Sequence, residues 1–180
     1  MRVLLDTCVL VPSPIRQILL NLAGSDLFFP LWSDEIFKEW EYFVSKNSNE
    51  FIDSIKIEII LMKSKWVKSL VPRNKNLEET LFLPDVNDRH VLATAITGHA
   101  EILLTNNLKD FPTRVLAKYC IVPRSVDSFL LELFYEFPQV LESNIQIAFE
   151  LSQGKNTNNE HSKKAFLKKY GLPRLAKVIS

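Results

Sequence analysis

The chain has 180 residues, 47% of them hydrophobic, which suffices for one compact domain with a sizeable core and a small appendage. The formal net charge of +1 excludes a global electrostatic signature of nucleic-acid binding. The absence of an 18-residue apolar run excludes a membrane-spanning helix, and two isolated cysteines exclude a disulfide framework.

In chain order, residues 2–5 form a short aliphatic run that reads as a buried strand. Ser13-Pro14 supplies a helix cap and a first-turn proline. Ile15, Ile18, Leu19 and Leu22 follow at helical spacing, and Gly24 closes the helix. Leu27–Pro30 predicts a second strand. Ser33 caps a helix with Ile36, Phe37, Trp40 and Phe43 on its inner face, so these aromatics, with Phe28 and Phe29, are expected in the core rather than on a base-stacking surface. An amphipathic helix is expected from about Glu50 to Lys65, a third strand over Val67–Val71, and a loop over Arg73–Glu79.

Asn87 or Asp88 begins a helix carrying Val91, Leu92, Ala95 and Ile96 inward and ending near Gly98. Strands four and five are expected at Ile102–Thr105 and Tyr119–Val122. Strands alternating with helices predict an α/β fold, a mostly parallel five-stranded sheet flanked by helices over residues 1–123. Residues 124–180 read as a small α-helical extension packed on it. Its helices start at Ser125, restart at Pro138, break at Asn156-Thr-Asn-Asn and resume over Ser162–Tyr170.

Charge is uneven along the chain. Residues 150–180 hold seven basic and two acidic residues, and this net +5 leaves −4 on the first 149. A solvated helix face is the ordinary reading of such a tail, with a surface for RNA or an acidic partner as the other. Cys8 and Cys120 have no metal-binding spacing and are expected as buried, reduced thiols. A cytoplasmic protein with no membrane association follows as the default.

Four acids then stand out. Asp6 ends the first strand, Glu39 lies within a helix, Asp88 opens another, and Asp110 follows the fourth strand. Ligands of open parallel sheets bind beyond the carboxyl ends of the strands, where the strand order reverses. Acids converging there repel one another, and a hard divalent cation with oxygen ligands would relieve them. Each has a plainer reading: a strand stop for Asp6, an exposed helical acid for Glu39, a helix cap for Asp88 with Asp85 as competitor, and a loop closure for Asp110.

The segments Asp6-Thr-Cys-Val-Leu, the Glu39 helix, Pro84-Asp-Val-Asn-Asp-Arg-His-Val-Leu-Ala-Thr-Ala-Ile and Leu104-Thr-Asn-Asn-Leu-Lys-Asp-Phe-Pro together resemble a PIN-domain protein. More narrowly, they resemble VapC-type toxins with an Asp-Arg-His-Val-Leu-Ala motif. The resemblance covers residues 1 to about 123. It implies a PIN-like fold and metal-dependent endoribonuclease activity, often on tRNA or ribosomal RNA, held in check by a cognate antitoxin. It also implies a site in which Asp6, Asp88 and Asp110 hold Mg²⁺ or Mn²⁺ and Glu39 assists. Thr7, Thr105, Asn107 and Arg89 would orient the site or substrate, Arg89 by meeting a phosphate or an antitoxin carboxylate. His90 is expected to pack or cap. The chain departs from the pattern at Cys8, where asparagine is commoner, and a weaker first-loop hydrogen bond is expected there.

A homodimer face on the hydrophobic second and third helices is a further expectation. A non-catalytic PIN-fold module binding RNA or protein is the alternative function. Phosphatase chemistry at Asp6 would need a second aspartate at position 8, where Cys8 stands.

Overall fold

The computed structural model describes residues 1–47, 52–153 and 162–179. The first part of Glu50–Lys65 and the Asn156-Thr-Asn-Asn break lie outside them. Among the described residues four strands form one parallel sheet: β1 (Arg2–Leu5), β2 (Phe29–Leu31), β3 (Ile102–Leu104) and β4 (Val122–Arg124), in the order β2-β1-β3-β4. β1 is central, and its Val3, Leu4 and Leu5 are fully buried, as an apolar run covered on both faces requires. Leu4 registers with Leu31 on one side and Leu103 on the other. The chain leaves β1 toward β2 but returns through β3 toward β4. The carboxyl ends of β1 and β3 therefore flank the point where winding reverses.

The sheet has four strands rather than the expected five. Residues 67–69 form a 3-10 turn, and the expected third strand shrinks to a single parallel bridge between Trp32 and Leu70. Val67 is 74% exposed, so no buried apolar run exists to fill a strand, and Pro72 removes the next ladder donor. Both edge strands carry a proline, Pro30 in β2 and Pro123 in β4, which blunts further pairing. β4 starts three residues later than expected because residues 117–119 close a 3-10 turn and Cys120 takes a left-handed φ of 58°. That turn leaves Cys120 exposed rather than buried.

Helices fill the connections: α1 (Thr7–Leu10), α2 (Ser13–Gly24), α3 (Asp34–Asn47), α4 (Ile52–Lys65), α5 (Lys75–Thr80), α6 (Arg89–Thr97) and α7 (Thr113–Leu116). In α2, Pro12 rather than Ser13 holds the cap position. α5 occupies the expected loop. Asn74 caps it by accepting from the Leu77 N–H, and Arg73 braces it through Glu78 at 2.8 Å. At the end of α6, a β-carbon on Gly98 would lie 2.9 Å from Val71 and 3.0 Å from Leu31, so glycine permits that close packing.

Beyond the sheet follow α8 (Val126–Glu136), α9 (Pro138–Gln153), α10 (Lys163–Lys169) and α11 (Leu175–Val178). α9 packs on α2, and α11 on α8. Ser125 caps α8. Both oxygens of the buried Asp127 accept backbone N–H groups at the start of α11, from Arg174 at 2.9 Å and Leu175 at 3.0 Å. Leu141, Ile145, Leu167 and Leu175 join the sheet residues in one hydrophobic cluster. Among the described residues no helix is long and apolar enough to cross a membrane.

Candidate metal centre

Four elements place the acids. β1 delivers Asp6 to the reversal point, where its side chain caps α1 through the Thr7 N–H at 2.7 Å. β3 delivers Thr105 beside it, and the fully buried Thr105 hydroxyl donates to Asp6 Oδ2 at 2.6 Å. Thr105 in turn accepts the Asn107 N–H at 2.9 Å, which fixes the following loop. α3 brings Glu39 across the same edge, and the Thr7 hydroxyl donates to its Oε2 at 2.6 Å. Asp88 sits at the junction of a 3-10 turn (residues 86–88) and α6. Asp85 does the capping there, through the Asn87 N–H, and the Asp88 side chain makes no cap bond. Asp88 is instead approached by the Asn107 side-chain amide at 3.4 Å.

Asp6, Thr7, Glu39, Asp88 and Asn107 thus line one open cavity of about 340 Å³. Asp110 stands at its border. Its carboxyl does not line the cavity and lies 3.8 Å from Lys109 Nζ, yet its charge is felt at Asp88. Arg89 does not line this cavity but an adjoining one of about 490 Å³, shared with Glu39, Arg73 and Glu78.

The electrostatics record the convergence. Burial, reinforced by Asp6, Asp85, Asp110 and Glu39, raises the Asp88 pKa to about 6. Burial also raises Asp6, against the hydrogen bonds from Thr105, Cys8 and Thr7. Glu39 differs. Burial pushes it upward, but hydrogen bonds from His90 and Thr7 and the imidazole charge outweigh this and hold it below its ordinary value. His90 Nε2 lies 2.8 Å from Glu39 Oε1, and because an ionised carboxylate only accepts, Nε2 carries the proton. Burial lowers the His90 pKa, while the Glu39 bond and charge, with Glu78 and Asp6, raise it overall.

Three residues at the site go beyond the sequence expectations. His90, expected to pack or cap, is the partner of Glu39, and its position two residues past Asp88 on the same helix start was the available signal. Cys8 ties the first loop through its sulfur. Its Sγ lies 3.2 Å from Asp6 Oδ2 and 3.3 Å from the Thr105 hydroxyl, and it accepts the Asn106 N–H at 3.3 Å. Burial, with the Asp6 charge, pushes the thiol pKa up to about 12, so it stays protonated. Phe43, expected in the core, is 49% exposed and forms one wall of the acid-lined cavity.

Among the described residues no three His, Cys, Asp or Glu side chains are closed into a ready metal cage. The donor set nonetheless suits a hard cation. It consists of carboxylate oxygens and an asparagine amide, with a thiol that stays protonated. Mg²⁺ keeps much of its water and needs only one or two direct carboxylates, so acids close enough to repel but not touching fit a hydrated ion.

A parallel sheet with acids at its reversal point defines an α/β domain of the acid-centred kind. The PIN domain model matches residues 2–109, well over half the chain, and the chain belongs to the PIN-domain family. It is also similar, at 49% identity over 45 residues, to a Mycobacterium tuberculosis (strain ATCC 25618 / H37Rv) protein named "Putative ribonuclease VapC50". That match spans 25% of this chain and 27% of the relative. No solved structure matches the chain significantly.

Proposed function

We propose that the protein is a metal-dependent endoribonuclease and the toxin of a VapBC-type pair. The observation that carries the reading is the gathering of Asp6, Glu39 and Asp88 around one cavity, with Asp110 at its border and the Asp88 pKa raised to about 6 by burial and, beyond that, by the surrounding acids. Such an arrangement costs stability and is relieved by a cation, so it points to a site rather than a scaffold. The name of the relative, a putative ribonuclease, supports RNA as substrate, and the antitoxin partner follows from the resemblance to VapC-type toxins.

In this reading Asp6 and Asp88 hold Mg²⁺ or Mn²⁺, with Asp110 acting through water. A divalent ion there would supply charge neutralisation at the phosphodiester and acidify a bound water. Thr105 and Thr7 fix the Asp6 carboxylate. Thr7 and His90 hold Glu39 ionised and in one rotamer, where it can orient an attacking water or accept its proton. Asn107 steadies Asp88. Arg89, in the adjoining cavity, is left to a phosphate or an antitoxin carboxylate rather than to the metal.

The nuclease unit in this proposal spans 1–123, with 124–180 as its helical extension. Tyr42 and Phe43 on α3, and Ile57, Ile60 and Leu61 on α4, are exposed apolar side chains. They support a protein-binding face for the antitoxin or a second copy. Because Phe43 also walls the cavity, a partner seated there would reach the acids. A cytoplasmic location belongs to the same reading.

The test is cleavage of end-labelled RNA. The wild type should cut in Mg²⁺ or Mn²⁺ and stop in EDTA, and Asp6→Asn should lose at least about 100-fold in rate. Wild-type speed in Asp6→Asn would refute the assignment. A chain that binds RNA but never cuts it would favour the non-catalytic module.

A further inference from the structure

A third cavity, of about 620 Å³, opens between the segment leading into Asp88 and the segment leaving Asp110. Its walls include Phe82, Leu83 and Pro84 on one side and Pro112, Arg114 and Lys118 on the other. Phe82 is 81% exposed, more than any other large apolar side chain among the described residues. Its ring face is open to stack against a planar ligand. No acid is among the lining residues, and neither Arg114 nor Lys118 enters an ion pair among the described residues. The groove is therefore apolar with a positive wall, the reverse of the acid-lined cavity nearby.

Its position in the chain ties it to that cavity. Pro84 is four residues before Asp88, and Pro112 is two residues after Asp110, so the loops that carry two of the acids also frame the groove. A polyanion laid across the acids needs cations along its path, and Arg114 and Lys118 follow Asp110 by four and eight residues.

We propose that this groove binds a single-stranded stretch of RNA flanking the cleaved phosphate, with one base stacked on Phe82 and the adjoining phosphates on Arg114 and Lys118. The inference rests on the ribonuclease reading and adds to it a strand class and a path. A base must be free of its own stack to lie on an exposed ring, so the groove selects unpaired nucleotides over A-form duplex, whose base faces are hidden. The volume falls within the range of roughly 300–1,000 Å³ in which small organic ligands are held.

The test uses the full chain carrying Asp6→Asn to keep the RNA intact, and follows fluorescence anisotropy of a labelled single-stranded oligoribonucleotide in Mg²⁺. Phe82→Ala should weaken binding by about 5- to 100-fold, while Phe82→Trp keeps it. Arg114→Glu with Lys118→Glu should weaken it and make the slope of log affinity against log salt shallower by about 1.4, the share of two phosphate contacts on a single strand. These side chains are exposed, so the fold should survive. Wild-type affinity in both variants, or equal affinity for a duplex of the same sequence, would overturn the inference and leave the groove to another occupant such as an acidic protein segment. Cleavage by the unmutated site separates the two readings. Binding through the groove without any cutting sinks the nuclease and keeps the groove, whereas variants that bind and cut like wild type do the reverse.

Discussion

At the scale of single residues, the site is organised by which carboxylates have partners. Glu39 has two, Thr7 and His90, and is held ionised. Asp88 has only a 3.4 Å amide contact and stands among other acids. A carboxyl whose folded pKa is raised favours folding below its unfolded value and loses that contribution as pH rises through the folded value. For Asp88 that window runs from 3.8 to about 6. Above it the ionised group is a net cost to the metal-free protein. In EDTA, Asp88→Asn should therefore be more stable than wild type at pH 7 by about 1 kcal/mol, after allowing for solvent screening at this half-exposed position. Thermal unfolding should show the difference shrinking toward pH 4. A variant less stable than wild type at neutral pH would mean that burial and the neighbouring acids do not penalise the ionised carboxylate there. The competition between Asp85 and Asp88 was visible in the sequence, but which of them caps the helix was not. Asp88 holds the cap position of α6 without a side-chain cap bond, and Asp85 instead caps the preceding 3-10 turn, which leaves the Asp88 carboxyl free.

At the scale of elements, strands and helices with strong periodic apolar faces were legible, and segments governed by short-range turn chemistry were not. β1, α2, β3 and α8 fall close to where the apolar spacing puts them. Val67–Val71 has strand-like residues, yet Val67 points to solvent and Pro72 ends the pairing, so one bridge is all that forms. The reverse error occurs at Arg73–Glu79, where charged residues suggested a loop but Asn74 as cap and the Arg73–Glu78 bridge make a helix. α11 was not anticipated, since its four residues are too short for a periodic signal and its start is secured from a distance by Asp127. Removing that cap in Asp127→Ala should cost about 2 kcal/mol, because two backbone N–H groups lose a charged acceptor. Denaturant unfolding would register it as a lower midpoint, and an unchanged midpoint would show that α11 docks by apolar contacts alone.

At the scale of the whole molecule, the order of the strands decides what the distant acids do. With β1 and β3 adjacent and the winding reversed between them, residues 6 and 105 become neighbours although 99 positions apart. The acid positions and their common edge could be read from the chain, because each follows a strand or begins a helix. Their spacing could not, and neither could the displacement of Asp110 to the rim or of Arg89 to the next cavity, since these depend on loop paths rather than on periodicity.

The central claim is that these carboxylates together make a cation site, and calorimetric titration of the RNA-free protein with Mn²⁺ tests it without reference to any substrate. Saturable binding that is lost in Asp6→Asn is the predicted result. Absence of measurable heat with the wild type, or an undiminished isotherm with Asp6→Asn, would contradict it.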